Sequence, residues 1–235
     1  MTAQAVELSS GAGSGWRGRL KELGARLTGR WRLGLYAKLS RYGLLRDLGK
    51  KFAAPGAKIP LAVRPLQNRD LPALFGHADN TSELAERLEV AWRHAFIDKG
   101  AHSGFVAIDE RSDTPCYVQW LLFPRDNDFI EKLGGFPPLA AGEALLENAY
   151  TPPAYRGLGV MSAAMARIAE RAGEYDAKKV LTFVATDNVA SLKGCQRAGF
   201  HPYLLHHRIR LGFGLVTRDR FETLADDDPR RSAKF

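Results

Sequence analysis

The sequence predicts an α/β fold, a sheet with helices packed on it, behind a basic helical extension at the N-terminus. Three observations predict it. Short runs rich in β-branched and aromatic residues alternate with stretches of helical period across residues 58–220. A glycine-rich turn stands between a strand and a helix. All of the excess positive charge lies ahead of residue 52. The chain has 235 residues, with 34 Lys and Arg against 26 Asp and Glu, a formal charge of +8. Eleven of the basic residues fall in 1–51, opposed by Glu7, Glu22 and Asp47, and the rest of the chain is balanced. A basic segment ahead of a neutral domain speaks to where a protein works, not to the reaction it runs.

Composition excludes several classes. With 45% hydrophobic and 26% charged residues the chain is globular, and it is long enough to bury a core without staples. Two cysteines, Cys116 and Cys195, form no disulfide framework and no CxxC pair. They fit free thiols in a reducing cytoplasm. No run approaches eighteen apolar residues, and residues 1–30 hold no apolar signal core, so neither a spanning helix nor a secretory signal is expected.

Residues 1–15 are small and polar and are expected to be disordered. Trp16, Leu20, Leu23, Leu27, Trp31, Leu35, Leu39, Tyr42 and Leu45 then recur every three or four residues, one stripe on a helix. Arg19, Arg26, Arg30, Arg32 and Arg41 flank it. Gly18, Gly24, Gly29, Gly34, Gly43 and Gly49 each cost about 1 kcal/mol in a helix interior, so two or three short helices are predicted. The stripe suits packing on the domain and suits an anionic membrane surface, through residues 16–51, equally well. No recognition motif accompanies the charge, so no nucleic-acid partner is expected.

The remaining elements follow in order. AAPGAKIP (53–60) reads as a linker, which divides the chain into an extension at 1–57, a domain at 58–220 and a frayed tail at 221–235. LAVRPL (61–66) alternates like a strand. Asp70 suits the N-cap of a short helix over 71–77. Residues 82–100 read as a second helix, with Ser82 capping and Gly100 beyond its end. GFVAIDE (104–110) and CYVQWLLF (116–123) read as a hairpin, and 124–142 as an irregular loop. EALLENAYT (143–151) is a strand broken by Pro152 and Pro153. YRGLGVM (155–161) opens a helix to about Gly173. KVLTFVAT (179–186) is a buried strand, 188–198 a helix closed by Gly199, and 202–218 one or two final strands.

The chemistry is carried by two segments. Arg156, Gly157 and Gly159 bring backbone to a helix N-terminus, where unpaired N–H groups and the helix dipole bind an anion. The spacing fits neither the Walker nor the Rossmann pattern. Twenty-nine residues beyond the motif's Gly159 region comes DNVASLKGCQRAGF (187–200). Together these resemble the GNAT superfamily of acyl-CoA-dependent N-acyltransferases, which places an Arg/Gln-x-x-Gly-x-Gly/Ala turn after one strand and an Asn-x-x-Ala/Ser…Gly-Phe helix after the next. The matching residues are Arg156, Gly157, Gly159, then Asn188, Ser191, Gly199 and Phe200. The resemblance covers about residues 60–218.

It implies a mixed, mostly antiparallel sheet with flanking helices, and acetyl-CoA or another acyl-CoA as co-substrate. It places the pyrophosphate on Arg156, Gly157, Leu158, Gly159, Val160 and Met161. The pantetheine arm lies between Ala149, Tyr150 and Thr151 on one side and Asn188 and Ser191 on the other. Backbone N–H groups at the splayed strand polarise the carbonyl. Met161 departs from the family's Gly or Ala. Cys195 stands where the family often carries a tyrosine that protonates the leaving thiolate; it is either that acid or a small buried hydrophobe, and Tyr203 is a substitute acid. Glu147 and Glu143 lie on one strand face at period two. They are either general-base candidates, Glu147 being nearer the splay, or solvated strand-face acids.

Other clusters are weaker. His206 and His207 have no third ligand at metal spacing, and Asp126, Asp128 and Glu131 lack the form of a calcium loop, so no metal site is expected. No Gly-x-Ser-x-Gly is present. Trp120 is either acceptor-pocket lining or core. The resemblance implies an N-acyltransferase, acetyl-transferring, acting on the amine of a small-molecule or envelope-precursor acceptor. The alternative is a non-catalytic acyl-CoA-binding sensor or regulatory module, suggested by Cys195. The expected location is cytoplasmic, peripheral to the inner face of the membrane if the basic arm binds lipid. No feature specifies an oligomer.

Overall fold

The computed structural model describes residues 36–213 and 215–235. They divide into two compact units. The larger comprises Ser40–His206 and Phe221–Phe235. Residues 36–39 and most of 207–220 belong to the smaller.

The strands are β1 (Tyr36–Asp47), β2 (Leu61–Pro65), β3 (Gly104–Asp109), β4 (Thr114–Leu122), β5 (Glu143–Tyr150), β6 (Lys179–Ala185), β7 (His201–Leu211) and β8 (Val216–Thr223). The helices are α1 (Leu71–Phe75), α2 (Leu84–Asp98), α3 (Asn127–Leu133), α4 (Val160–Arg171) and α5 (Val189–Arg197). The strands hydrogen-bond in the order β2-β3-β4-β5-β6-β1-β7-β8. β2 to β5 form an antiparallel run, β5 and β6 are parallel, and β6 and β1 antiparallel. This is the mixed, mostly antiparallel sheet with flanking helices that the family resemblance implies.

Consecutive strand residues point to opposite faces, and in the larger unit each face carries its own apolar layer. Leu44, Tyr117 and Leu146 lie in one layer, with Ala163, Ile168 and Leu192 from α4 and α5. Leu45, Val118 and Leu145 lie in the other, with Leu74, Val90 and Ile130 from α1, α2 and α3. Full burial of one such side chain stabilises by about 1.5–3 kcal/mol. α4 meets the sheet through alanines (Ala163, Ala164, Ala166, Ala169), all fully buried, so its backbone can lie close.

The structure corrects the N-terminal reading. Tyr36–Asp47 is a strand inside the sheet, paired with β6 from Arg41↔Ala185 to Asp47↔Lys179. It is not the end of a helical extension. The helical spacing of Leu39, Tyr42 and Leu45 coexists with an alternation that the stripe conceals. Leu44 and Leu45 are both apolar because the strand is covered on both faces. Gly43 admits a close neighbour, since a Cβ there would lie 2.6 Å from Leu204 Cγ. Arg46 is buried, donating from Nη1 to Ala166 O (2.8 Å) and Ala198 O (3.3 Å) and pairing through Nη2 with Glu170 (2.8 Å). It places a cation where α4 and α5 end. The predicted short helices over Trp16–Leu35 lie outside the described residues.

Two further differences concern connecting segments. The predicted linker at 53–60 is fixed to the domain: Lys58 N–H donates to Leu158 O (2.8 Å), and Ile59 is buried. The predicted frayed tail is held as well. Leu224 is buried and its N–H donates to Tyr203 O (2.9 Å). Asp228 caps the 3-10 turn Pro229–Ser232 by accepting from Arg230 N–H, and the Phe235 ring packs 5.2 Å from Tyr42. Asp228 also pairs with Arg230, which reaches Glu222 as well. The loop 124–142, predicted as irregular, contains α3.

In the smaller unit the chain reverses between β7 and β8 at Gly212 and Phe213, both with positive φ (56° and 57°). Arg208 grips Asp219 through Nε (2.7 Å) and Nη2 (2.8 Å), a bidentate pair across the hairpin.

Candidate functional site

The parallel pairing of β5 with β6 covers Glu143 to Leu145 against Lys179 to Leu181. Beyond it the strands part, and a cleft of about 1130 Å³ opens in the larger unit. On its other side β5 is bulged. Val118 pairs with Tyr150 and Trp120 with Glu147, so Gln119 faces both Asn148 and Ala149. Asn148 takes the extra position with φ 60°. Asparagine is one of the few residues with a side chain that enters the left-handed region readily. The bulge re-aims the strand end into the cleft.

The floor of the cleft is the turn into α4. Gly157 (φ 75°) and Gly159 (φ 76°) are both left-handed, a conformation that only glycine adopts at no cost. They leave the first amides of α4 unpaired at the cleft, the geometry of an anion site. Gly159 also lies against the chain upstream: a Cβ there would meet Gly56 O at 3.5 Å and Ala57 Cα at 3.6 Å.

Beside the turn is a buried polar cluster. Glu86 on α2 accepts from Arg156 Nη2 (2.7 Å) at Oε2, and from the Tyr150 hydroxyl and His77 Nε2 (3.1 Å) at Oε1. Burial alone would raise the Glu86 pKa, but these hydrogen bonds and the Arg156 charge outweigh it and lower it to about 2. Arg156 Nε donates in turn to Thr151 O (3.0 Å). Two turns further along α2, Arg93 donates from Nη1 to Glu89 O (2.8 Å) and from Nη2 to Ala149 O (2.7 Å), and its guanidinium stands over the Tyr150 ring.

At the splay itself is Glu147. Its Oε1 accepts from Asn148 N–H at 3.2 Å, and its Oε2 is shielded from solvent with no partner. Burial pushes its pKa up to about 7, against the opposing pull of Arg41, of the Asn148 amide and of Arg93. Across the cleft, Asn188 caps α5 by accepting from Ser191 N–H (3.1 Å). Among the described residues no group of His, Cys, Asp and Glu could hold a metal ion.

This geometry is a carboxylate base candidate at a splayed strand, an anion-binding turn and a capped helix opposite. The sequence model of the acetyltransferase (GNAT) domain matches residues 61–201. The chain belongs to the GNAT acetyltransferase family. No curated protein matches it. Solved structures are similar to it at low identity. A GCN5-related N-acetyltransferase from Sphaerobacter thermophilus is 14% identical, covering 83% of this chain and 56% of its own, with a TM-score of 0.45. A GNAT-family acetyltransferase from Colwellia psychrerythraea is 12% identical over 86% and 73%, with 0.48. The glucosamine N-acetyltransferase region of a fungal multi-domain GH3 β-N-acetylglucosaminidase is 10% identical over 80% and 22%, with 0.52. The chain spans little more than half of the Sphaerobacter protein's length.

The GNAT fold gathers most of the residues singled out in the sequence. Glu147, Cys195, Ala149, Tyr150, Thr151, Arg156, Gly157, Gly159, Val160, Met161, Asn188 and Ser191 all line the cleft. Three do not. Glu143 lies at the paired start of β5 and accepts from Ala140 N–H (3.0 Å). Tyr203 packs in the apolar layer under α1 to α3. Burial and the Glu143 charge raise its pKa. Leu158 turns into the opposite layer. Trp120 is core, fully buried and edge-on to Phe96. Cys195 is buried with its thiol 3.8 Å from Met165 Sδ, and burial, then the Glu147 charge, push it up to about 12.

Glu86, Arg93 and Asn148 went unnoticed in the sequence. Glu86, Val90 and Arg93 share the buried face of α2, so two charges on an apolar stripe were the available signal. For Asn148 it was an asparagine inside a strand pattern, where that residue is depleted.

Proposed function

We propose that this GNAT domain is an acyl-CoA-dependent N-acyltransferase that moves an acetyl group to the amine of a small-molecule acceptor. The observation that carries the reading is Glu147, a shielded carboxylate at the mouth of the splay with one oxygen unpartnered and a pKa near 7. A base is most effective when its pKa lies near the working pH. The bound co-substrate supplies an activated acyl thioester. The amides of 157–161 and the N-terminus of α4 hold its pyrophosphate. Glu86 holds Arg156 beside them, and Tyr150, Thr151 and Asn188 flank its arm.

Glu147 Oε2 takes the proton from the acceptor nitrogen as the C–N bond forms. It then returns that proton to the departing thiolate. The transfer runs downhill, because a thiol of pKa about 8.5 holds a proton more tightly than a carboxyl at about 7. Cys195, at about 12, is a weaker acid than the thiol it would protonate, and the reading leaves it a packing residue.

The test is incubation with acetyl-CoA and a panel of amines, following thiol release. Turnover that Glu147→Gln abolishes supports the reading. Acetyl-CoA binding without turnover on any amine would leave the non-catalytic binding module. Absence of binding would end both.

Contact with an anionic membrane is proposed for residues 16–35 alone, because Tyr36–Asp47 is committed to the sheet. Among the described residues no helix is long and apolar enough to cross a membrane. Flotation of the full chain with anionic liposomes should be lost on Arg19→Glu, Arg26→Glu and Arg30→Glu together. Equal flotation would refute the contact.

A further inference from the structure

Four buried side-chain atoms among the described residues have no hydrogen-bond partner: Arg46 Nε, Arg93 Nε, Glu147 Oε2 and Asn148 Nδ2. Such atoms are uncommon in folded proteins, and each calls for an explanation. Arg46 serves the helix ends, away from the cleft. The other three belong to cleft-lining residues. Two of those residues are neighbours in sequence, and they offer opposite chemistry: Glu147 an acceptor, Asn148 a donor.

Asn148 is the less expected of the two. The residue is 7% exposed. Its backbone is left-handed at φ 60°, where glycine would be the natural choice if the position served only to turn the strand. A glycine would bury no amide. Asparagine brings one, and the fold leaves its NH₂ without a partner at the point where β5 enters the cleft. The backbone N–H of Asn148 does not fill this role as it stands, because it already donates to Glu147 Oε1.

We propose that the Asn148 side-chain amide is the hydrogen-bond donor to the acyl carbonyl oxygen in the transfer step, so that Asn148 and Glu147 form a matched pair. The inference rests on the acyltransferase reading above. As the acceptor nitrogen bonds to the carbonyl carbon, the C=O electron pair moves onto oxygen, and Asn148 Nδ2 donates to that developing charge. The same step makes the nitrogen acidic, and Glu147 Oε2 accepts its proton. When the pair on oxygen re-forms the carbonyl, the C–S bond breaks, and the departing thiolate takes the proton from Glu147 and leaves as the thiol. One orphaned donor and one orphaned acceptor thus meet the two charges that the reaction creates together. A preorganised donor is stronger in such a shielded site than in water.

Asn148→Gly tests this cleanly, because glycine accepts the left-handed backbone and only the amide is lost. The expected result is a fall in kcat of about 10²-fold or more, with the KM for acetyl-CoA within threefold and an unchanged pH profile. A kcat within threefold of the parent would overturn the proposal. A second measurement needs no turnover. The infrared carbonyl band of bound [1-¹³C]acetyl-CoA should lie lower on the parent protein than on Asn148→Gly or Asn148→Asp. Equal bands would overturn the Asn148 assignment. A parent protein that binds no acetyl-CoA would overturn the underlying reading instead.

Discussion

Arg93 Nη2 donates to the carbonyl oxygen of Ala149 at 2.7 Å, joining the middle of α2 to the residue just past the bulge in β5. The arginine is buried; it also bonds Glu89 on its own helix, and its guanidinium stands over the Tyr150 ring. The bulge is therefore fixed from one side by the sheet and from the other by a helix. Arg93→Met should remove the second hold while keeping much of the packing. The loss of a charge-assisted bond to a buried carbonyl is expected to cost about 1.5–3 kcal/mol, read as a lower denaturation midpoint. Because the bulge positions Glu147 and Asn148, kcat should fall more than the KM for acetyl-CoA rises. A raised KM with kcat unchanged would show that Arg93 acts only on binding.

Activity should follow the ionisation of Glu147. With its pKa at about 7, kcat/KM is expected to rise through that pH and level off above it, and Glu147→Gln should lose about 10²–10⁴-fold. Stability should move the other way. A carboxyl whose pKa is higher folded than unfolded stabilises the fold when protonated. That contribution is complete below the ordinary 4.5 and is lost as pH rises through 7. Thermal scans should show Glu147→Gln gaining on the parent between pH 5 and pH 8. A constant gap across that range would contradict the burial of Glu147.

Glu86 predicts the opposite slope. Its pKa is lowered to about 2 from 4.5, so its contribution is present above 4.5 and is lost as pH falls toward 2. By linkage this amounts to about 3 kcal/mol at neutral pH. Glu86→Gln should be destabilised by a comparable amount at pH 7 and by much less near pH 2.5. It should also raise the KM for acetyl-CoA, because Arg156 loses the carboxylate that holds it at the turn. A KM unchanged at full occupancy of the fold would separate the cluster from cofactor binding.

Cys195→Ala should leave kcat within about threefold of the parent. A buried thiol beside a thioether acts as a small hydrophobe, and its removal leaves a small cavity costing about 1 kcal/mol. A kcat lowered by 10²-fold, with rescue in Cys195→Ser, would restore it as an acid.

The parts legible in the sequence were those with local rules. The turn at Arg156–Met161 announces itself by glycines that must be left-handed, and the α5 cap by Asn188 three residues ahead of Ser191. The α2 and β3–β4 boundaries follow from helical period and alternation, and fall within two or three residues of those read, although the N-cap of α2 is Glu83 and not Ser82. β1 failed because Leu39, Tyr42 and Leu45 satisfy a helical period, while the strand they form is apolar on both faces. Only its neighbours, β6 above all, decide between the two. Glu143 and Glu147 share a strand face, and no local pattern separates them. The separation comes from where β5 stops pairing with β6, two residues after Glu143. Asn148 escaped for a related reason: a bulge is a property of two strands in register, and one strand's sequence does not state it.

The contact of Gly56 and Ala57 with Gly159, with Lys58 clasping Leu158, ties the turn into α4, the proposed phosphate cradle, to chain that runs a hundred positions earlier. The cradle is thus not self-supporting. Its stiffness is borrowed from the strap that leads out of β1, and a tug on that strap is a tug on the cradle. Trimming the protein to the span of the family match, from residue 61, would leave every cradle residue in place and take away what keeps them still.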